Sequence, residues 1–296
     1  WNAELDEALD ELPAPPGCSK DQYRELMRPT SAQKLHALAR ENGAPSALIS
    51  LRRRMRFWEP VSYQVLPSFI APAASQPALG RALAVLGVEV HMPAGLDESV
   101  YELGGGEVGV YDAYQIDLTS DYESHWHKKS QRHLSTIRRA RNKCAHLEHR
   151  IDGAGDMEWI VDTWRSQWLN DPGQEVSAAE DRVRFWSVLP RSAGEEWRVR
   201  TLQLTAGPDR VAGVVLLCRD GVATFQCWAR DTAFDQLGAG NRALDLAIEI
   251  AAAEGYKCFD LGGGSVKHRW GPIGTQRYRV TFRPWILGML RRVTPD

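Results

Sequence analysis

The chain has 296 residues, of which 43% are hydrophobic and 25% charged, with a formal charge of −2. These are ordinary proportions for a globular protein, and no apolar run reaches the roughly 18 residues that a membrane span requires. Five scattered cysteines show no C-x-x-C or Cys/His spacing for zinc, and no secretory pattern opens the sequence, so a reducing cytoplasm with no membrane partner and no metal is expected.

Residues 1–30 read as a short N-terminal helical segment, with Leu12–Gly17 as a breaker between two helices. Ser31–Gly43 reads as a helix with Ser31 as its cap and Gly43 as its stop. ALISLRRR and PVSYQVL read as strands, Pro77–Gly87 as a helix, and Glu102–Gly109 as a flexible stretch. A boundary is expected near residue 115. Beyond it, Ser120 and Glu123 form a capping box that predicts a helix of about 25 residues, with Tyr122, Trp126, Leu134, Ile137 and Cys144 as its apolar stripe. A strand near Ala145–Ile151 follows, then helices over Asp156–Trp168 and Ser177–Val188. WRVRTLQLT, RVAGVVLLC and GVATFQCWAR are three strands joined at AGPD and RDG, both hairpin signals. A glycine-led helix to Glu254, a strand over Tyr256–Leu261, a loop with a short helical turn and a strand over Arg277–Phe282 complete the chain.

The predicted basic helix carries the main charge asymmetry. Ser124–Arg150 holds eight Lys/Arg against the single acid Glu148, together with five of the eight histidines. Arg138, Arg139 and Arg141 are candidates for an anionic partner, against the alternative of a solvated helix face. Arg52, Arg53, Arg54 and Arg56 form a second, weaker patch.

FDQLGAGNRALDLAIEI, Phe234–Ile250, offers a candidate anion cradle. Gly238 and Gly240 let the backbone approach a ligand closely, and the helix they open presents unpaired N–H groups at its positive end. The competing reading is a plain helix entry. GAGNRA also fits a dinucleotide fingerprint, with Asp260 about 20 residues on, but DTAFDQL separates the preceding strand from the turn and too few strands follow. FDLGGGS as an S-adenosylmethionine loop fails in the same way.

The element order after residue 145 resembles the GNAT acyltransferase fold, in which this loop holds the pyrophosphate of an acyl-CoA through a [QR]-x-x-G-x-[GA] motif. Both glycines match; Asp235 stands where the family has Gln or Arg. Phe259, Asp260 and Gly262, then Lys267, Arg269, Trp270 and Gly271, resemble the Fem-like and CelD-like subgroup over about residues 115–285. The resemblance implies an α/β (α+β) fold: a mixed, mostly antiparallel twisted sheet flanked by helices, in two GNAT-like halves. Residues 31–115 are then a degenerate first half and 116–296 the acyltransferase domain.

The resemblance also implies site residues. Leu237, Gly238, Ala239, Gly240, Asn241, Arg242, Cys227 and Trp228 would bind the acyl donor. Asp260 would bind or deprotonate the amine, with a cap for the following turn as the equal alternative, and Tyr278 would protonate the leaving group. Lys267 and Arg269 would bind an acidic acceptor or donor phosphate. No spacing points to a covalent intermediate. The expected function is direct N-acyl transfer to a small or amino-acid-like amine, with acyl-CoA (acetyl-CoA) slightly preferred as donor. Aminoacyl-tRNA is the alternative, as in Fem relatives, and a non-catalytic binding module, which Asp235 mildly favours, is the second.

Overall fold

The computed structural model describes residues 3–13, 19–27, 34–54, 57–60, 69–70, 90–94, 107–119, 130–153, 155–170, 180, 183–184, 186, 198–262, 267–271 and 273–282. The chain divides into two units, one of residues 1–111, 175–192 and 276–296, the other of residues 112–174 and 193–275.

In the first unit, α1 (Ala3–Glu11) and α2 (Lys20–Met27) precede β1 (Lys34–Glu41) and β2 (Ala44–Arg54). The helix expected over Ser31–Gly43 is therefore a strand where it is described. Asn42 and Gly43 both take left-handed φ values, 53° and 85°, and close a hairpin in which Lys34 pairs with Arg52 and Glu41 with Ala44. Asn-Gly is the dipeptide that suits such a turn, and it outweighs the helix propensity of the preceding residues. β3 (Phe57–Pro60) and β4 (Phe69–Ile70) pair antiparallel with β2. β5 (Val90–Ala94) pairs parallel with β3, and β12 (Ile273–Phe282) antiparallel with β5. The readings over 61–68, 77–87 and 102–106, and Arg56, lie outside the described residues. The stretch expected to be flexible is already strand from Glu107, where β6 (Glu107–Asp117) begins.

Ser50, buried on β2, lies 2.8 Å from Nδ1 of His36 on β1. Burial, helped by nearby positive charges including Lys34, pushes His36 from its ordinary 6.5 down to about 4. Unfolded chains take up that proton at 6.5, so this contribution is complete above pH 6.5 and is lost as pH falls toward 4. Urea midpoints at pH 7.5 and 4.5 should therefore lie closer together in His36→Gln than in the wild type.

The second unit carries a mixed sheet in the order β6, β11, β10, β9, β8, β7. Its members are β7 (Glu148–Ile151), β8 (Arg198–Ala206), β9 (Asp209–Arg219), β10 (Val222–Arg230) and β11 (Cys258–Gly262). Every pairing is antiparallel except β10 with β11. Asp220 and Gly221, with φ of 50° and 76°, make the tight β9–β10 turn that the RDG signal predicts. β8 and β9 are buried almost continuously, because helices cover both faces. Leu202, Leu204, Val214 and Leu216 share a core with Leu244, Ala247 and Ile248 of α5 (Ala239–Ala253) and with Leu134 and Ile137 of α3 (Gln131–Lys143). On the other face α4 (Asp156–Leu169) lies so close that a Cβ on Gly213 would meet Ile160 at 2.5 Å.

α3 is shorter than the 25 residues expected. Ser130 has extended dihedrals, and its hydroxyl accepts from His133 N–H at 3.3 Å, so the helix starts at Gln131; residues 120–129 lie outside the described residues. Ser130 supplies the N-cap chemistry that the sequence reading assigned to Ser120. The predicted helix over Ser177–Val188 also falls mostly outside the described residues. Among the described residues no helix is long and apolar enough to cross a membrane.

Candidate functional site

Two departures from a regular sheet create a cavity in the second unit. β10 and β11 run parallel only over Val222–Thr224 and Cys258–Asp260. β11 then continues along β6, with Gly262 opposite Tyr114, while β10 runs on to Arg230 along β9. The two strands thus part company after three paired positions. The second departure is a bulge: Phe225 faces Leu216 and Cys227 faces Val215, so Gln226 is the extra residue. Side chains alternate along a regular strand, and one inserted residue reverses the phase. Phe225 and Trp228, three apart, consequently line the same wall.

The cavity has a volume of about 590 Å³, within the range of small-molecule sites. β10 gives it Phe225 and Trp228, β11 gives Leu261, and α5 gives Asn241 and Leu244. The 3₁₀ turn Lys267–Arg269 contributes all three of its residues, followed by Trp270. Ser130, Arg132, His133 and Thr136 come from the start of α3. His133 stands edge-on to Trp270 at 5.1 Å between ring centroids. Lys267 donates to the Leu261 carbonyl and holds its ammonium 5.2 Å from the centre of the Phe225 ring.

Of the residues singled out in the sequence, Trp228, Asn241, Lys267, Arg269 and Trp270 meet at this cavity. The glycine turn is packed instead. Gly238 has φ of 70° and joins a 3₁₀ turn over Thr232–Leu237 to α5. Ala239 is 2% exposed, and Gly240 is buried with its α-carbon against Trp228, where a Cβ would come within 3.3 Å of the ring. A Cβ on Gly238 would stand 3.6 Å from that of Ala140 on α3. Lys143 Nζ donates to the Gln236 carbonyl at 2.7 Å, and the Cys144 thiol to that of Leu237 at 3.6 Å. Asp235, the departure from the family motif, is ion-paired to Arg230 at 2.5 Å.

Arg141 and Arg242 are engaged in an internal brace. Arg141 binds Asp245 through two bonds of 2.8 and 2.9 Å, and Arg242 donates to the same carboxylate at 2.7 Å. Both also reach Glu249. Arg138 and Arg139 are exposed on α3. Cys227 is buried, on the face of β10 away from the cavity wall. Asp260 is 5% exposed and accepts from Gly262 N–H at 2.7 Å, capping the turn that follows it; Leu261, the next residue, faces the cavity. Tyr278 pairs with Ala94 in the first unit, and its side chain lies outside the described ones.

The cavity residues to which the sequence reading gave no part are Ser130, Arg132, His133, Thr136, Phe225, Leu244, Leu261 and His268. Arg132 and Thr136 could have been paired by their four-residue spacing on one helix face. Phe225 could not have been joined to Trp228 without knowledge of the bulge.

Residues 130–271 match the family model described as acetyltransferase (GNAT) domain. Among solved structures, the C-terminal domain of a protein described as a lysylphosphatidylglycerol synthetase from Agrobacterium fabrum is 13% identical, with a TM-score of 0.55 over 97% of this chain and 96% of that one. FemX is 8% identical with a TM-score of 0.52, over 99% and 98%. The L-PGS structure from Bacillus licheniformis is 12% identical with a TM-score of 0.55, over 97% and 94%. No curated protein sequence matches the chain.

Proposed function

Residues 130–271 form a GNAT-superfamily domain in a chain with the fold seen in FemX, and from this premise we propose that the cavity performs direct acyl transfer from an activated ester to an amine. The observation that carries the reading is the parting of β10 and β11 over a cationic, aromatic-walled cavity. A parted pair of strands admits an extended acyl carrier, and a fixed cation stabilises the negative charge that develops on the ester oxygen. Lys267, held over Phe225, is the group we assign to that charge. Asp260 caps the end of β11 through its bond to Gly262.

Aminoacyl-tRNA is the donor that this geometry favours. A coenzyme A diphosphate would need the first-turn amides of α5, and Ala239 and Gly240 are covered. The exposed Arg138 and Arg139, on a helix whose start lines the cavity, offer instead an outer track for a polyanion. Asn241 favours the acyl-CoA reading, since it lies in that first turn and faces the cavity.

The test is transfer measured with charged tRNA and with acetyl-CoA. RNase should abolish activity, and Arg138→Ala with Arg139→Ala should reduce the slope of log affinity against log salt by about 1.5–2. Stabilisation by acetyl-CoA together with RNase-resistant turnover would reverse the donor assignment. Failure of both donors would leave a binding module.

A further inference from the structure

Among the described residues, no carboxylate lines the cavity. Its fixed charges are Arg132, Lys267 and Arg269, with His133 and His268 beside them. Lys267 is positioned by one bond to the Leu261 carbonyl and by the Phe225 ring, and is assigned above to the ester oxygen. Arg132 and Arg269 are exposed, stand on different elements, and form no ion pair among the described residues. This contrasts with Arg141 and Arg242, which share Asp245 and Glu249. The rest of the wall is aromatic or apolar, with Phe225, Trp228, Trp270, Leu244 and Leu261.

A guanidinium without a carboxylate partner offers its donor fork to planar or tetrahedral oxyanions. An aromatic wall takes an apolar body beside that anion. We propose that the acyl acceptor is an amine carrying its own carboxylate or phosphate on an apolar body of about aromatic size, with the anion held by Arg132 and Arg269. The proposal rests on this cavity being the transfer site. The same positive field selects the protonation state of the acceptor, because like charge disfavours ammonium and favours the neutral amine that attacks. The field thereby does part of what a carboxylate base would do. In the transfer, the amine lone pair forms the C–N bond while the ester C–O bond breaks. The amine releases one proton to solvent, and the departing oxygen takes one up. Amines that bring only further positive charge, such as polyamines, are repelled.

Binding to the full chain without any acyl donor tests this. The probes are 3-phenylpropionate, phenyl phosphate and phenethylamine, followed by titration calorimetry. At least one of the two anions should bind tenfold or more tighter than phenethylamine, and the tighter of the two identifies the acid group. Arg132→Gln and Arg269→Gln should each lower that affinity about tenfold without moving the thermal midpoint. The proposal is overturned by equal or tighter binding of phenethylamine, by anion binding indifferent to both substitutions, or by no anion binding. None of these outcomes touches the transfer reading, which stands or falls on turnover with charged tRNA or acetyl-CoA.

Discussion

Asp245→Ala is expected to lower the stability of the protein by about 3 kcal/mol. Asp245 is fully buried in α5 and receives Arg141 from α3 and Arg242 from its own helix. Burying a carboxylate is costly unless its oxygens are bonded, and here two guanidiniums supply three bonds. The alanine variant removes the acceptor that the two guanidiniums share, although both still reach Glu249. Breaking a buried pair by deleting one partner costs about 3–5 kcal/mol. The arginine side chains are 31% and 21% exposed and can turn partly to water, which places the effect at the low end. The thermal midpoint should fall by about 6–12 °C for a domain of this size. α3 is also the helix that carries Arg132 and Thr136 to the cavity, so ligand affinity should fall with stability. A midpoint within about 2 °C of wild type would mean that the brace contributes little and that α3 is held by its apolar face.

Gly271→Ala should be comparably damaging, for a steric reason. An added Cβ would stand 2.7 Å from the Gln115 carbonyl oxygen, 3.1 Å from its carbon and 3.3 Å from the Gln115 nitrogen. All three obstacles are backbone atoms of β6, which pairs with β11 and has no rotamer through which to yield. Gly213 makes a useful contrast, since its nearest obstacle is the Ile160 side chain at 2.5 Å, which can repack. Overpacking of this kind costs about 1–3 kcal/mol, and the fixed backbone at Gly271 puts it near the top of that range. The clash must also displace Trp270 and the Lys267–Arg269 turn, hence one wall of the cavity. Gly271→Ala should therefore lose more ligand affinity than Gly213→Ala at matched temperature below both midpoints. Native affinity in a stable Gly271→Ala protein would show that β6 moves.

The places where sequence reading succeeded share a property. The β8–β9–β10 series was legible because its turns carry Gly and Asp at positions that need left-handed φ, and because β9 between them is an unbroken apolar run over Val211–Cys218. The glycine-led helix was legible because Gly238 and Gly255 adopt φ of 70° and 82° at its two ends. The failure at Lys34–Glu41 has the same origin: the Asn42–Gly43 turn was there to be read, and the helix-like apolar spacing before it was preferred. The GNAT resemblance, carried by the glycine loop and the Lys267–Gly271 stretch, led to the fold; the roles of individual residues were a different matter.

Those roles depended on register and long-range packing. Arg141 looked like an anion-binding residue until Asp245, 104 residues away, proved to be its partner. Asp260 and Leu261 are neighbours in sequence, but strand alternation gives the cavity only Leu261. The bulge at Gln226 brings Phe225 and Trp228 to one wall against the usual phase. Local sequence determined dihedral angles, and so the order of strands, turns and helices in this protein. The tertiary structure decided which charges are neutralised and which face the cavity, because pairing across the fold is settled by side chains brought together from distant segments, which no local pattern records.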